Sequence, residues 1–222
     1  MRRVRLTGVS IFEGRVVQDG LEVAMANREL ELTLFLALAR APMTGRTLAQ
    51  AVWSRPSGKA AAKVYIHRVR AKLGSEAITG TSDGYVLTRS ARVDLHQLER
   101  FMRSRAVLPF RSQRERSYAR RSFGQLTRGR PFRFATWKWF EPTERLLARL
   151  AVQLGARLAI DALHYNDAQR CIEVLSEMCT SCVEGNPETV NRVRTDVSEG
   201  RKDAALEELE RYSLRILTNP YP

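Results

Sequence analysis

The sequence predicts an α+β domain over residues 1–93 followed by an all-α domain over residues 94–222, and three observations carry that prediction. Between Val4 and Val23, apolar and polar residues alternate between turn signals, which is the two-residue period of short strands. From Asn27 to Leu73 the apolar spacing changes to three and four, and alternation returns over Glu76–Thr88. From Asp94 onward helical spacing alone remains.

Composition bounds the partners. The chain has 222 residues, 44% of them hydrophobic, and a formal charge of +13. That is enough apolar content for real cores, so the polarity reflects arginine and not disorder. The charge is uneven: 16 Lys/Arg face 9 Asp/Glu in residues 1–100, 12 face 3 in 101–145, and 9 face 12 in 146–222. A basic front and a mildly acidic back point to nucleic acid at one end and a protein partner at the other. An arginine-rich proteome would give the same total without either partner. No apolar run reaches the 18 or so residues that span a bilayer, and no apolar segment follows the charges of MRRVRLTGVS. Three cysteines, an odd number, fit a reducing cytosol better than a disulfide framework.

Residues 4–23, with Gly8, Gly14 and Asp19-Gly20, predict three or four short strands, and Asp19-Gly20 is the clearest hairpin turn. Asn27 is read as the cap of a helix, RELELTLFLALAR. In it Leu30, Leu34, Ala37 and Leu38 share a face that Leu32, Phe35 and Leu36 widen, which predicts a central, buried helix. Ala41-Pro42 ends it. Thr44 caps a second helix, GRTLAQAVW, with Leu48, Ala49 and Val52 inward and Trp53 closing it. Ser54-Arg55-Pro56-Ser57-Gly58 is a loop leading into GKAAAKVYIHRVRAKL, a third helix over Gly58–Leu73.

In the third helix Ala62, Ile66, Val69 and Leu73 recur at 4-3-4 spacing, the burial pattern. Ala60, Val64, His67, Arg68 and Ala71 lie opposite. Lys59 opens the helix, Lys63 and Arg70 line one flank, Lys72 lines the other, and no acid occurs. Small and apolar residues outward between cations suit a helix in a DNA major groove. Ala60 and Val64 would meet base edges or thymine methyls, Arg68 would fork onto guanine, and the cations would hold phosphates. The same residues also fit an ordinary solvated helix, so the surroundings decide. A second helix, a short loop, a basic third helix and a hairpin turning at Ser82-Asp83-Gly84 together make a helix-turn-helix variant with a wing.

These residues resemble an OmpR/PhoB-type winged helix. That family carries an acid in its first helix, a Trp ending the second, V-x-I-x-x-(L/V)-R-x-K-L in the third, and G-Y closing the wing. Here they are Glu29, Trp53, Val64-x-Ile66-x-x-Val69-Arg70-x-Lys72-Leu73 and Gly84-Tyr85. The resemblance implies that Ala60, His67, Arg68 and Arg70 face DNA, that Trp53 touches its backbone, and that Thr79 and Tyr85 sit at the wing's phosphate contacts. Thr81 stands where the family often has a minor-groove arginine, which leaves a short polar side chain for that contact. Such regulators commonly carry a receiver domain first, and none is expected ahead of Met1.

Residues 94–222 predict helices at Asp94–Arg105, Ser112–Thr127, Thr143–Leu163, Asp167–Met178, Pro187–Ser198 and Arg201–Leu217. Leu147, Leu150, Leu154 and Leu158 recur at 3-4-4 spacing in the longest. Tyr165-Asn166-Asp167-Ala168 and Arg201-Lys202-Asp203-Ala204 stand 36 residues apart, each opening a helix after a break, close to a tetratricopeptide-type helix-pair repeat. Val93-Asp94 with Leu98-Glu99, then Arg128-Gly129-Arg130-Pro131 and Gly200-Arg201-Lys202-Asp203-Ala204, resemble the bacterial transcriptional activation domain. In the SARP family of antibiotic-pathway activators that domain follows such a winged helix.

Other constellations are weaker. Residues 101–133 hold ten arginines against Glu115, either a second phosphate-binding surface or a solvated helix face. Phe110, Phe123, Phe132, Phe134, Trp137 and Trp139 are read as fillers between helices in preference to a base-stacking platform. Cys179-Thr180-Ser181-Cys182 lacks the βαβ context of a thioredoxin-like site. A metal would need Cys171 and His164 as further ligands, with poor reach, so no metal or cofactor is expected. No nucleophile–base, P-loop or metalloprotease motif occurs, so no enzymatic activity is expected.

The resemblance implies a cytoplasmic, nucleoid-associated bacterial activator, not a membrane protein, that binds double-stranded promoter DNA at direct repeats as a pair of copies. RNA polymerase would be contacted through the Ser54, Arg55, Pro56 and Ser57 loop and the second domain. The alternative is a protein-interaction adaptor or scaffold that binds DNA weakly or without sequence preference.

Overall fold

The computed structural model describes residues 6–54, 59–104, 109–127, 137–181 and 187–218. A small set of strands with three helices comes first, and a mostly helical region follows. The chain divides into two compact units, 1–100 with 134–139 and 101–133 with 140–222. The first unit thus runs past Val93, where the sequence suggested a boundary, and takes in a segment from far along the chain.

The first unit holds β1 (Leu6–Ser10), β2 (Arg15–Gln18), β3 (Leu21–Glu22), α1 (Asn27–Leu38), α2 (Gly45–Trp53), α3 (Lys59–Leu73), β4 (Ile78–Thr81), β5 (Gly84–Leu87), β6 (Arg92–Val93) and the start of α4 (Asp94–Ser104). One sheet has the order β3-β2-β1-β6, with β1 antiparallel to β2 and parallel to β6. Asp19 and Gly20 have φ 50° and 85°, the two positive values of a type I′ hairpin turn. Two residues are too few to show a period, which is why β6 was not legible in the sequence. Its successor, Asp94, ties the sheet to α4: its carboxylate accepts from Ser10 Oγ at 2.6 Å, Ile11 N at 2.8 Å and Phe12 N at 3.3 Å. Burial pushes the Asp94 carboxyl above its ordinary value against the pull of these donors.

α1 begins after Ala26 and not after Asn27, which corrects the expected cap. Alanine has no acceptor to offer. Glu29 supplies one by reaching back to the Ala26 N–H at 3.1 Å, and Asn27 falls inside the first turn. Leu32, Leu34, Leu36 and Ala37 are buried, while Leu30 and Leu38 are half-buried, so the core wraps further round the helix than one stripe. Thr44 caps α2 as expected, its hydroxyl accepting from Thr47 N at 3.1 Å. In α3 all four residues of the 4-3-4 series, Ala62, Ile66, Val69 and Leu73, are buried. β4 and β5 form a separate hairpin with Thr81 opposite Gly84. Met43 extends it, exchanging backbone hydrogen bonds with Tyr85 at 2.8 and 2.9 Å. A Cβ at Gly84 would stand 2.3 Å from the Met43 carbonyl oxygen, so this approach needs glycine.

The second unit holds the end of α4, then α5 (Gln113–Thr127), α6 (Glu141–His164), α7 (Ala168–Ser181), α8 (Pro187–Ser198) and α9 (Lys202–Thr218). α6 is its axis. Every residue from 150 to 163 is buried, and α5, α7 and α9 all pack on it. Gly155 lets α6 approach so closely that a Cβ there would lie 2.5 Å from Met178 Sδ. Buried charge is paired where Asp161 accepts from Arg116 Nε at 2.6 Å and from Phe110 N at 3.1 Å. α6–α7 turns at Asn166 and α8–α9 at Gly200, both with positive φ, and Lys202 Nζ donates to Asn166 Oδ1 at 2.6 Å. The Arg128–Pro131 motif, Phe132, Phe134, Cys182 and the Cys179 side chain lie outside the described residues. Among the described residues no helix is long and apolar enough to cross a membrane.

Candidate nucleic-acid interface

Burying the Ala62–Leu73 series turns the opposite side of α3 outward. Ala60, Lys63, Val64, His67, Arg68 and Ala71 are all exposed, with no acid among them. Val64 is 49% exposed, a large apolar side chain left in water. The Arg68 guanidinium carbon lies 5.2 Å from the Tyr65 ring centroid, and that ring lies 5.2 Å from Trp53. The aromatic pair supports the guanidinium without neutralising it, and its planar donors meet no acceptor among the described residues. Lys63 forms no hydrogen bond or ion pair with any described residue. Trp53 is half-buried, its ring committed to Tyr65.

Two of the flanking cations are engaged within the unit. Arg70, expected to hold a phosphate, donates from Nε and Nη2 to the Ile78 carbonyl oxygen at 2.9 and 2.7 Å. The start of β4 runs beside that flank of α3 and offers the carbonyl. Lys72, expected in the same role, sits 2.7 Å from Glu29 Oε2 and donates to Ala24 O at 3.1 Å. The Lys72 hydrogen bond holds the Glu29 carboxyl below its ordinary range, against the opposing effect of burial. Both cations therefore brace α3 against its neighbours, a role that residue type and helical position alone cannot separate from phosphate binding.

The β4–β5 hairpin directly follows α3. Thr79 and Thr81 are exposed, and Thr81 Oγ1 donates across the turn to Gly84 O at 3.1 Å. Tyr85 is half-buried and fixed through its backbone to Met43. Ser54 is exposed with φ 53°, ending α2 in the left-handed conformation. Arg55, Pro56 and Ser57 lie outside the described residues, as does the side chain of Lys59.

Sequence reasoning did not single out Arg46 and Thr47. Both are exposed in the first turn of α2, just after the Met43 pairing with Tyr85. The Thr47 N–H is taken by the Thr44 hydroxyl, and Arg46 places a positive charge beside the helix start, where anions are favoured. The signal was present as Thr44-Gly45-Arg46-Thr47, a cap followed by a cation.

Among the described residues no group of three His, Cys, Asp or Glu is placed to hold a metal. Cys171 is fully buried, and burial pushes its thiol up to about 12, far from a reactive thiolate. On the second unit, Arg114, Arg120 and Arg121 of α5 are exposed, while Arg116 is committed to Asp161. Comparison of the chain with family models, with curated proteins and with solved structures returned no match.

Proposed function

We propose that the chain is a sequence-specific DNA-binding transcriptional activator of the SARP type, without enzymatic activity or cofactor, working in the bacterial cytoplasm at the nucleoid. The first unit is read as a winged helix-turn-helix. α2 and α3 are the helix pair, α3 enters the major groove, and β4–β5 is the wing. The observation that carries this reading is the acid-free outward face of α3, where Ala60, Val64 and Arg68 form a stripe beside Lys63 and His67, with no salt bridge from Arg68 or Lys63 to any described residue. Arg68 suits a guanine edge, Val64 and Ala60 suit thymine methyls, and Lys63 and Arg46 suit phosphates. The paired helices α6–α7 and α8–α9 support a tetratricopeptide-like domain that contacts RNA polymerase together with the Ser54–Ser57 loop, while two copies occupy direct repeats.

Selection from random-sequence duplexes tests this. The full chain should enrich two copies of one short motif in the same orientation, and Arg68→Ala should lose the preference. A pool that stays random after repeated rounds refutes the reading.

One observation favours a second reading. With Arg70 and Lys72 engaged internally and Thr81 in place of a wing arginine, fewer of the described cations are left for DNA. An adaptor that holds proteins together through its helical unit and binds DNA weakly would have this charge distribution. Its mark would be duplex binding that depends steeply on salt and not at all on sequence.

A further inference from the structure

Glu31 has no part in the interface, yet its side chain is only 2% exposed in the first half of α1. A carboxylate out of water is tolerated only when its oxygens are hydrogen-bonded. One partner comes from far along the chain. Trp139 Nε1 donates to Glu31 Oε1 at 3.0 Å, and its ring meets Phe35 edge-on with centroids 5.1 Å apart. Trp137 stacks on Trp139 with centroids 5.5 Å apart and ring planes within 10°. The other oxygen, Oε2, accepts from Arg28 Nη1 at 2.5 Å, and the same nitrogen donates to the Val52 carbonyl at 3.0 Å.

Val52 lies in the last turn of α2, where carbonyls have no partner inside the helix. Two residues later Ser54 closes the helix, its N–H returning to Gln50 O at 3.0 Å. A cavity of about 340 Å³ lies alongside, lined by Arg28, Glu31, Trp53, Ser54 and Trp139 among others. Val52 is buried and Trp53 packs on Tyr65, but on the side of the cavity the last turn of α2 is held by the chain of hydrogen bonds.

We propose that Trp139, Glu31 and Arg28 are positioning residues that form a relay fixing the last turn of α2 through the Val52 carbonyl, up to its cap at Ser54. The segment carrying Trp139 completes the first unit although it lies between α5 and α6 in sequence. The effect of the relay on DNA binding rests on the function proposed above, whereas its effect on α2 does not.

The test uses the full chain with Trp139→Phe, which keeps a ring against Phe35 but removes the donor, and with Glu31→Gln, which keeps size but removes charge. Amide hydrogen exchange at Trp53 and Ser54 reports on the last turn, and affinity for the selected duplex reports on α3. Both variants should raise exchange at these two amides at least tenfold, with exchange at Leu48 and Leu34 unchanged, and should weaken the duplex. Arg28→Met should raise the same amides and add little when combined with Trp139→Phe. Exchange that stays unchanged at Trp53 and Ser54, or that rises evenly through α1, α2 and α3, overturns the relay. If the amides respond in a protein that binds no duplex with preference, the relay stands and the DNA-binding reading falls.

Discussion

Arg70→Met separates a brace from a phosphate contact. The substitution keeps most of the aliphatic stem and removes both donors to the Ile78 carbonyl, at 2.9 and 2.7 Å. A hydrogen bond to a charged group is worth about 1.5–3 kcal/mol. Here both bonds share one acceptor and the side chain is half exposed, so about 2 kcal/mol in all is the expected loss. For a unit of this size each kcal/mol shifts melting by roughly 4–8 °C, so the first unit should melt on the order of 10 °C lower. A phosphate contact behaves otherwise. Losing one would reduce the slope of log affinity against log salt by about 0.9 and leave melting unchanged. Thermal melting together with a salt titration of duplex binding gives both quantities. Lower melting with an unchanged slope is expected. An unchanged melting temperature with a slope smaller by about one would show that Arg70 holds a phosphate and that its bond to Ile78 is not kept in solution.

Arg68→Ala should cost about 1–3 kcal/mol on the selected duplex and almost nothing on a random one, measured by competition binding. Lys63→Gln should weaken both duplexes alike and lower the salt slope by about one. Glu29 is held below its ordinary value of 4.5, chiefly by Lys72, so its contribution to stability is full above that value and is lost as pH falls through its lower value in the fold. Glu29→Gln should therefore lower stability near neutral pH by more than at pH 3, in denaturant titrations at the two values, and an equal difference at both would remove the ion pair from the account. Cys171, with its thiol pushed up to about 12, should resist alkylation at pH 8.5 until the protein is unfolded, as followed by peptide mass.

Periodic features were legible in the sequence, and features made by single long-range contacts were not. The 4-3-4 series of α3, the Asp19-Gly20 turn, the Thr44 cap and the helices after Asp94 follow from local spacing and turn chemistry, which the chain carries residue by residue. The outward set Ala60, Val64, His67 and Arg68 was readable because it is what the buried series leaves over. The internal bonds of Arg70 and Lys72 were not, since a lysine or arginine on a helix flank reads the same whether a phosphate or a group of the protein lies opposite. The cap of α1 moved to Ala26 because the acceptor came from Glu29, three residues on. β6, the Asp94 bonds to residues 10–12 and the Trp139–Glu31 bond join positions 82 or more residues apart, and no window along the chain contains both partners.

The ratio of affinities for the selected duplex and a scrambled one of equal length, taken at about 150 mM salt, separates sequence-specific binding from adaptor-type binding. A sequence-specific binder typically holds its own site 10³-fold or more above non-specific DNA, and the account predicts a ratio of about that size that collapses with Arg68→Ala. A ratio near one, with affinity that merely falls as salt rises, would contradict it and leave the adaptor reading in its place.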